Sequence, residues 1–330
     1  MNVNPFVRGP CTVGERTIQA LDTARDRLFP CEIWYPEAAQ SGTYPLILYS
    51  HHSGGSRRAA TYLCTHLCSH GYVVAAMDHS EVIAPEFKGK AGETTEQLNA
   101  RVEAWIANRV PDLRFLLDQM LPNSEMSVDP DRIGVVGHSF GGWTALAAPE
   151  VEPRIRAVVA LAPGGSSQPR PGIIPAQLTF QWGRDVPTLY LAAENDTPVP
   201  LDGIYELFER TPGTKQMVIL RRADHLHFAD NVEQEHEKVR AMQFPEELAW
   251  IPKEMRPIGE LCSGEQAHLF VRGLTLCHMD AHLRGQEEAQ RFLDGDIEAA
   301  LAAHGVDVNP AKAPAGEVYR PQTRTIPPRP

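Results

Sequence analysis

Ser139 stands in the stretch IGVVGHSFGGWTAL, residues 133–146, with Gly137 two residues before it and Gly141 two after. A serine hydroxyl becomes a useful nucleophile only when a base takes its proton and donors hold the oxyanion that follows. A sharp strand-to-helix turn provides for both. It lifts the hydroxyl clear of the sheet and places the next N–H, that of Phe140, at a helix N-terminus where partial positive charge accumulates. Side chains two positions either side of the serine would collide across such a turn, so Gly137 and Gly141 are a steric requirement. The apolar run RIGVV before the motif reads as a strand and the run after it as helix-forming. That context separates this G-x-S-x-G from an ordinary glycine turn with an N-capping serine.

The remaining parts of such a site have fixed places. A second oxyanion donor belongs in the loop after the third strand, where ILYSHHSGGSR leaves backbone N–H groups free beside its glycines. Ser53 N–H is the donor expected there, with His52 N–H in reserve and His52 itself a pocket residue. An acid and then a histidine should follow the serine, each just beyond a strand. TLYLAAENDTPVP offers Glu194 and Asp196, and VILRRADHLHFAD offers His225 and His227. Trp182, Trp250 and the apolar residues of 242–255 are candidate walls for the acyl or alcohol group.

Competing chemistries fare worse. Cys64, His66, Cys68 and His70 have a metal-like spacing, but on a helix positions four apart lie only about 40° apart and positions two apart about 200°. The two cysteines therefore share the apolar face with Leu67, and the two histidines are expected on the solvated side. His225 and His227 lack a third ligand and an H-E-x-x-H helix. No P-loop or dinucleotide-type glycine loop occurs. Neither metal nor cofactor is expected.

The elements that must position these groups alternate. Residues up to about 44 contain β-like pieces such as RLFPCEIWYP, suggesting antiparallel strands at a sheet edge. Continuous apolar strands follow at 46–49 and 73–77, with a helix over 57–70 between them. A long helix near 95–121 carries Val102, Ile106, Val110 and Leu113 on one stripe, and Pro111 is expected to kink or divide it. Three more strands lie in RAVVALAP, VPTLYLAAEND and KQMVILRRADH, with a helix near 203–210. The pattern predicts an α/β protein with a doubly wound, mostly parallel, eight-stranded sheet. One domain over 1–305 is expected. Within it, residues 231–268 form a small helical cap insertion, and helices run over 267–284 and 286–303. A proline-rich tail over 306–330 is expected to be extended or disordered. Asp78 and His79, closing the fourth strand, read as a loop anchor.

A chain of 330 residues with 42% hydrophobic and 22% charged residues suits a globular protein with a sizeable core. A formal charge of −11 argues against nucleic acid or an anionic membrane surface as partner. No apolar run reaches membrane-spanning length and no secretory leader is recognisable, so a cytoplasmic location is expected. Six cysteines are too few for a disulfide framework at this length and are expected to be reduced.

Taken together, GHSFGG, SHHSGGSR, SHGYVVAAMDH and DHLHFAD resemble the dienelactone hydrolase and platelet-activating-factor acetylhydrolase branch of the α/β-hydrolases, over residues 28–230. The resemblance implies a cofactor-free serine esterase working through an acyl-enzyme. Ser139 matches the nucleophile, Phe140 and Ser53 match the oxyanion donors, and His225 matches the base as first histidine of H-x-x-F-x-D. Two positions depart from the pattern. His51-His52 replaces the usual His-Gly, and ALAPGGSSQ lacks the carboxylate that acetylhydrolases carry there. The acid then falls to Asp196, with Glu194 as fallback, and the case for a phospholipid substrate weakens. The expected activity is carboxylesterase-type hydrolysis of a small ester. A homo-oligomer is compatible with the sequence. The alternatives are amide or peptide hydrolysis on the same triad and a non-catalytic binding module.

Overall fold

Strands that are apolar on both faces must be covered on both faces. The computed structural model, which describes residues 4–37, 42–90, 92–121 and 126–311, meets that demand with one nine-stranded sheet. In chain order the strands are β1 (Val13–Asp22), β2 (Arg27–Pro36), β3 (Tyr44–Ser50), β4 (Val73–Met77), β5 (Val128–His138), β6 (Ile155–Leu161), β7 (Thr188–Ala193), β8 (Lys215–Leu220) and β9 (Val308–Ala311). Their order across the sheet is β1-β2-β4-β3-β5-β6-β7-β8-β9. The strands from β3 to β8 run parallel. β1 and β2 form an antiparallel hairpin at one edge, and β9 is antiparallel at the other.

The helices are α1 (Thr61–Ser69), α2 (Ser80–Ile83), α3 (Thr95–Met120), α4 (Phe140–Ala147), α5 (Leu201–Arg210), α6 (Val232–Ala241), α7 (Ile251–Glu254), α8 (Gly264–Arg284), α9 (Glu287–Asp294) and α10 (Ile297–Ala302). Side chains alternate along β3: Ile47 and Tyr49 pack with Leu63 and Leu67 of α1 and Phe270 and Leu274 of α8. Leu46 and Leu48 pack on the opposite face with Leu113 and Leu117 of α3 and Leu207 of α5. Each such fully buried side chain contributes roughly 1.5–3 kcal/mol, so the two clusters dominate the folding energy. α3 and α8 begin with reciprocal capping boxes, Thr94 with Gln97 and Ser263 with Gln266. α8 ends on the left-handed Gly285.

The chain leaves β3 for β4 on one side and returns to β5 on the other, so the loops after β3 and β5 diverge at the carboxyl ends of the strands. Open α/β sheets bind ligands in that crevice. Ser50, last in β3, pairs with Gly137 of β5, which sets the 51–55 loop beside the turn at Ser139.

Several sequence expectations are corrected. The sheet has nine strands rather than eight, because 308–311, in the stretch expected to be free tail, pairs with β8. Pro310 is tolerated there because an edge strand can spare a donor. The remainder of the tail, 312–330, lies outside the described residues. α3 runs unbroken through Pro111. Pro111 and Ala107, whose carbonyl loses its partner, both lie on the exposed side, where water can serve that carbonyl. The helix expected over 286–303 divides into α9 and α10 at Gly295. His66 and His70 are buried rather than solvated: their Nε2 atoms meet the carbonyls of Pro5 and Val7, pinning the N-terminal segment over α1. Cys64 and Cys68 sit in the core as expected, and all six cysteines are free.

Candidate active site

The residues around Ser139 form a backbone corner before they form a site. Ser139 has φ 58° and ψ −116°, a conformation a serine adopts only when its surroundings impose it. Its N–H donates to Leu161 C=O at 2.9 Å, and its carbonyl accepts from Trp143 N–H and Gly164 N–H, both at 3.0 Å. The two glycines are required as anticipated. A Cβ on Gly137 would lie 2.0 Å from the carbonyl oxygen of Gly141, and one on Gly141 would lie 2.0 Å from that of Ser50. Phe140 opens α4, and among the described residues its N–H has no backbone acceptor.

The loops after β7 and β8 bring an acid and a base together. His225 Nδ1 lies 2.8 Å from Asp196 Oδ2, and Asp196 Oδ1 accepts from Val199 N–H at 2.8 Å. The carboxylate side chain is 1% exposed and the imidazole 13%. Burial alone would lower the His225 pKa, but the Asp196 charge and hydrogen bond outweigh it and hold it above the ordinary histidine value. Burial raises the Asp196 carboxyl from its usual range, with His225 pulling the other way. Glu194 faces elsewhere, accepting from Arg222 N–H at 2.9 Å. His227 is also occupied. Its Nδ1 lies 2.9 Å from Asp224 Oδ1 and its Nε2 3.0 Å from Cys262 C=O, and the bonding to Asp224 overcomes burial to push its pKa up to about 10.

The loop after β3 turns back on itself. His52 C=O accepts from Gly55 N–H at 3.0 Å and from His51 Nδ1 at 2.6 Å, and His51 Nε2 accepts from His79 N–H at 3.2 Å. Asp78 anchors the next residues, its carboxylate taking Arg57 N–H at 2.7 Å and Arg57 Nη1 at 2.6 Å.

Ser139, His225, Phe140, His52 and Ser53 all line one cavity of about 330 Å³. Its walls are apolar. Trp143, Ile174 and Val199 come from the body, and Phe244, Leu248 and Met255 come from the segment between α6 and α8. Two expected wall residues lie outside it. Trp182 is 5% exposed and donates to Leu146 C=O at 3.2 Å, so it is a core residue behind α4. Trp250 stacks under the Arg170 guanidinium at 3.6 Å and donates to Glu247 C=O at 2.8 Å, and it is not among the cavity's lining residues. Trp143 takes the inner place.

Two residues at the site carry no clear signal in the sequence. His138, the variable residue of the motif, is buried beside His225 with ring centroids 4.8 Å apart, and among the described residues neither of its nitrogens has a hydrogen-bond partner. Burial and the neighbouring His225 hold it well below the usual histidine pKa. Arg109 of α3 is fully buried, with its guanidinium 4.3 Å from the Phe140 ring centroid. A charged residue on a helix stripe reads as solvated, so only its interruption of the apolar period at the centre of α3 marks it.

Residues 1–182 match the sequence profile of the Chlorophyllase family, a span that includes the Ser139 corner and stops before Asp196 and His225. Cutinase est1 of Thermobifida alba is 28% identical over 231 residues, covering 68% of this chain and 66% of that protein. The bis(hydroxyethyl) terephthalate hydrolase of Streptomyces coelicolor is 25% identical over 244 residues, 69% of this chain and 68% of the relative. A platelet-activating factor acetylhydrolase of Cavia porcellus is 26% identical over 60% of this chain and 51% of its own. Among solved structures, a ferulic acid esterase from Streptomyces cinnamoneus superposes with a TM-score of 0.64 at 24% identity, covering 91% of this chain and 96% of that one. Among the described residues no helix is long and apolar enough to cross a membrane.

Proposed function

This chain belongs to the chlorophyllase family, and from that premise we propose that it hydrolyses carboxylic esters through an acyl-enzyme on Ser139. The observation that carries the reading is the placement of His225, which is bonded to Asp196 through Nδ1 and lines the same cavity as Ser139. Asp196 accepts the Nδ1 proton, which leaves Nε2 as the basic nitrogen. His225 Nε2 takes the Ser139 proton as the oxygen attacks the ester carbonyl. The oxyanion is held by the N–H groups of Phe140 and Ser53. The imidazolium, stabilised by Asp196, returns its proton to the departing alcohol, and water repeats the cycle on the acyl-enzyme.

The cavity supports a small ester with an apolar acyl or alcohol part, since the polar groups cluster at Ser139 and the far walls are hydrocarbon and aromatic. The test is labelling and turnover together. Wild-type protein should react with a fluorophosphonate and hydrolyse p-nitrophenyl butyrate, and Ser139→Ala should lose both, with kcat down by about 10⁴-fold or more. A Ser139→Ala protein that keeps either property would overturn the reading. A matched anilide hydrolysed faster than the ester would move the reaction class to amide cleavage.

A further inference from the structure

Arg109 holds a full charge with no exposure to solvent. Burial of an unpaired guanidinium is strongly unfavourable, so its contacts have to compensate. They are concentrated on the loop after β3. Arg109 Nη1 donates to His51 C=O at 2.6 Å and to Ser50 Oγ at 3.3 Å. Nη2 donates to His52 C=O at 3.3 Å and to the Glu81 carboxylate, which is itself nearly buried. The face of the guanidinium lies against Phe140.

A buried chain braces this arrangement from behind. Ser50 Oγ lies 2.8 Å from His79 Nε2, and His79 Nδ1 lies 3.3 Å from Asp112 Oδ2. Arg109 can only donate and the Asp112 carboxylate accepts. With a neutral imidazole the hydrogens therefore run one way, from Arg109 to Ser50, from Ser50 to His79 and from His79 to Asp112.

The consequence is fixed by peptide geometry. Among the described residues no peptide is cis, and in a planar trans peptide the carbonyl and the following N–H point in opposite directions. Holding the carbonyl of His51 on Arg109, and that of His52 between Arg109, His51 Nδ1 and Gly55 N–H, therefore turns the N–H groups of His52 and Ser53 away from the guanidinium, and both residues line the Ser139 cavity. The first turn of α4 abuts the same loop, because Gly141 leaves no room for a Cβ beside the Ser50 carbonyl. One guanidinium thus touches both halves of the oxyanion hole, the 51–53 peptides and the residue whose N–H is the other donor.

We propose that Arg109, braced by Glu81 and Ser50, is a positioning residue that holds the oxyanion hole open toward Ser139. The inference rests on the esterase reading, since an oxyanion hole has meaning only for acyl transfer at Ser139.

The experiment compares wild type with Arg109→Met and Arg109→Lys. It measures thermal melting, kcat and KM on p-nitrophenyl butyrate, and two inhibition constants. One is for a trifluoromethyl ketone, whose serine adduct puts an oxyanion in the hole, and the other is for the matching methyl ketone, which does not hydrate readily. In Arg109→Met, kcat should fall about 10²-fold with KM within about threefold, near the lower end of what loss of one oxyanion donor costs. The preference for the trifluoromethyl ketone should fall by a similar factor. Arg109→Lys should recover part of both losses, since an ammonium keeps the charge but cannot span two carbonyls and a carboxylate.

A folded Arg109→Met with kcat and ketone preference both within threefold of wild type would overturn the proposal. So would a fall in kcat and melting temperature with the ketone preference unchanged, which is the signature of a merely structural arginine. If Arg109→Met does not fold, Arg109→Lys and Glu81→Gln decide by the same ratio. A wild-type protein that neither turns over the ester nor labels at Ser139 would defeat the esterase reading, and this inference with it.

Discussion

Replacing Asp196 with asparagine tests the acid–base pair without changing its shape. In the native site Asp196 Oδ1 accepts from Val199 N–H at 2.8 Å and Oδ2 lies 2.8 Å from His225 Nδ1. The Val199 N–H needs an oxygen, so the amide introduced by Asp196→Asn must place its NH₂ toward His225. Nδ1 then has to accept, the proton moves to Nε2, and Nε2 can no longer take the proton of Ser139. The charge is lost as well. Two unit charges about 4 Å apart interact by about 4 kcal/mol at an effective dielectric near 20, which corresponds to about 10³ in rate when one of them forms in the transition state. Charge loss and the wrong tautomer together should lower kcat by about 10⁴-fold, the size of the same change in a serine protease triad. Stability should not fall with it. Asp196 has its pKa raised by burial, so it binds a proton more readily folded than unfolded, and its ionisation at neutral pH opposes folding. The assay is single-turnover acylation at pH 8, normalised to active sites, beside a melting curve. An Asp196→Asn protein with kcat within tenfold of wild type would show that the Asp196–His225 bond is structural and would refute the reasoning.

Three further outcomes follow from the site. Because Asp196 raises the His225 pKa and the base must be neutral, kcat/KM should rise with pH along a one-proton limb whose midpoint lies above 6.5, the ordinary histidine value. His52, lowered to about 4 chiefly by burial, should add no second step between pH 5 and 9; a two-proton limb there would contradict this. Gly141→Ala should cost about 2–3 kcal/mol and most of the activity, because the clashing atom is backbone, whereas Gly259→Ala, with no atom within 4 Å of its Cβ, should change stability by less than about 0.5 kcal/mol in urea titration. Trp143→Ala should shift the profile over acyl esters toward longer chains, while Trp182→Ala should lower stability by about 3–5 kcal/mol and leave that profile unchanged.

The corner at Ser139 was legible because its demands are local. Two glycines, a strand and a helix within fourteen residues admit few backbones, and the contacts at Gly137 and Gly141 confirm the steric argument residue by residue. The parallel sheet was legible because a strand buried on both faces has to be apolar throughout. The misses share a physical cause, which is packing between segments distant in sequence. β9 forms only because β8 presents a free edge to 308–311. Trp182 and Trp250 are equally plausible cavity walls in sequence, and which face each shows depends on α4 in one case and Arg170 in the other. Helical angles alone put His66 and His70 in solvent, because they take no account of an N-terminal segment laid across them.

The molecule also holds a comparison that separates geometry from chemistry. Ser50, His79 and Asp112 form a serine–histidine–aspartate series, with Oγ to Nε2 at 2.8 Å and Nδ1 to Oδ2 at 3.3 Å. All three are fully buried, and Arg109 donates to the serine oxygen from another side. The guanidinium engages one lone pair of this hydroxyl, and full burial leaves no path by which a substrate carbonyl can approach it. Burial also pulls His79 below its ordinary pKa, which disfavours the imidazolium that base catalysis would require. At Ser139 the surroundings differ: the serine is half-buried on a cavity wall, and His225 on the same wall is biased toward the charged form. Residue types and distances are therefore insufficient to define a catalytic triad. Access for an electrophile and a stabilised imidazolium make the distinction, and on the reading proposed above the buried series braces the loop beside Ser139.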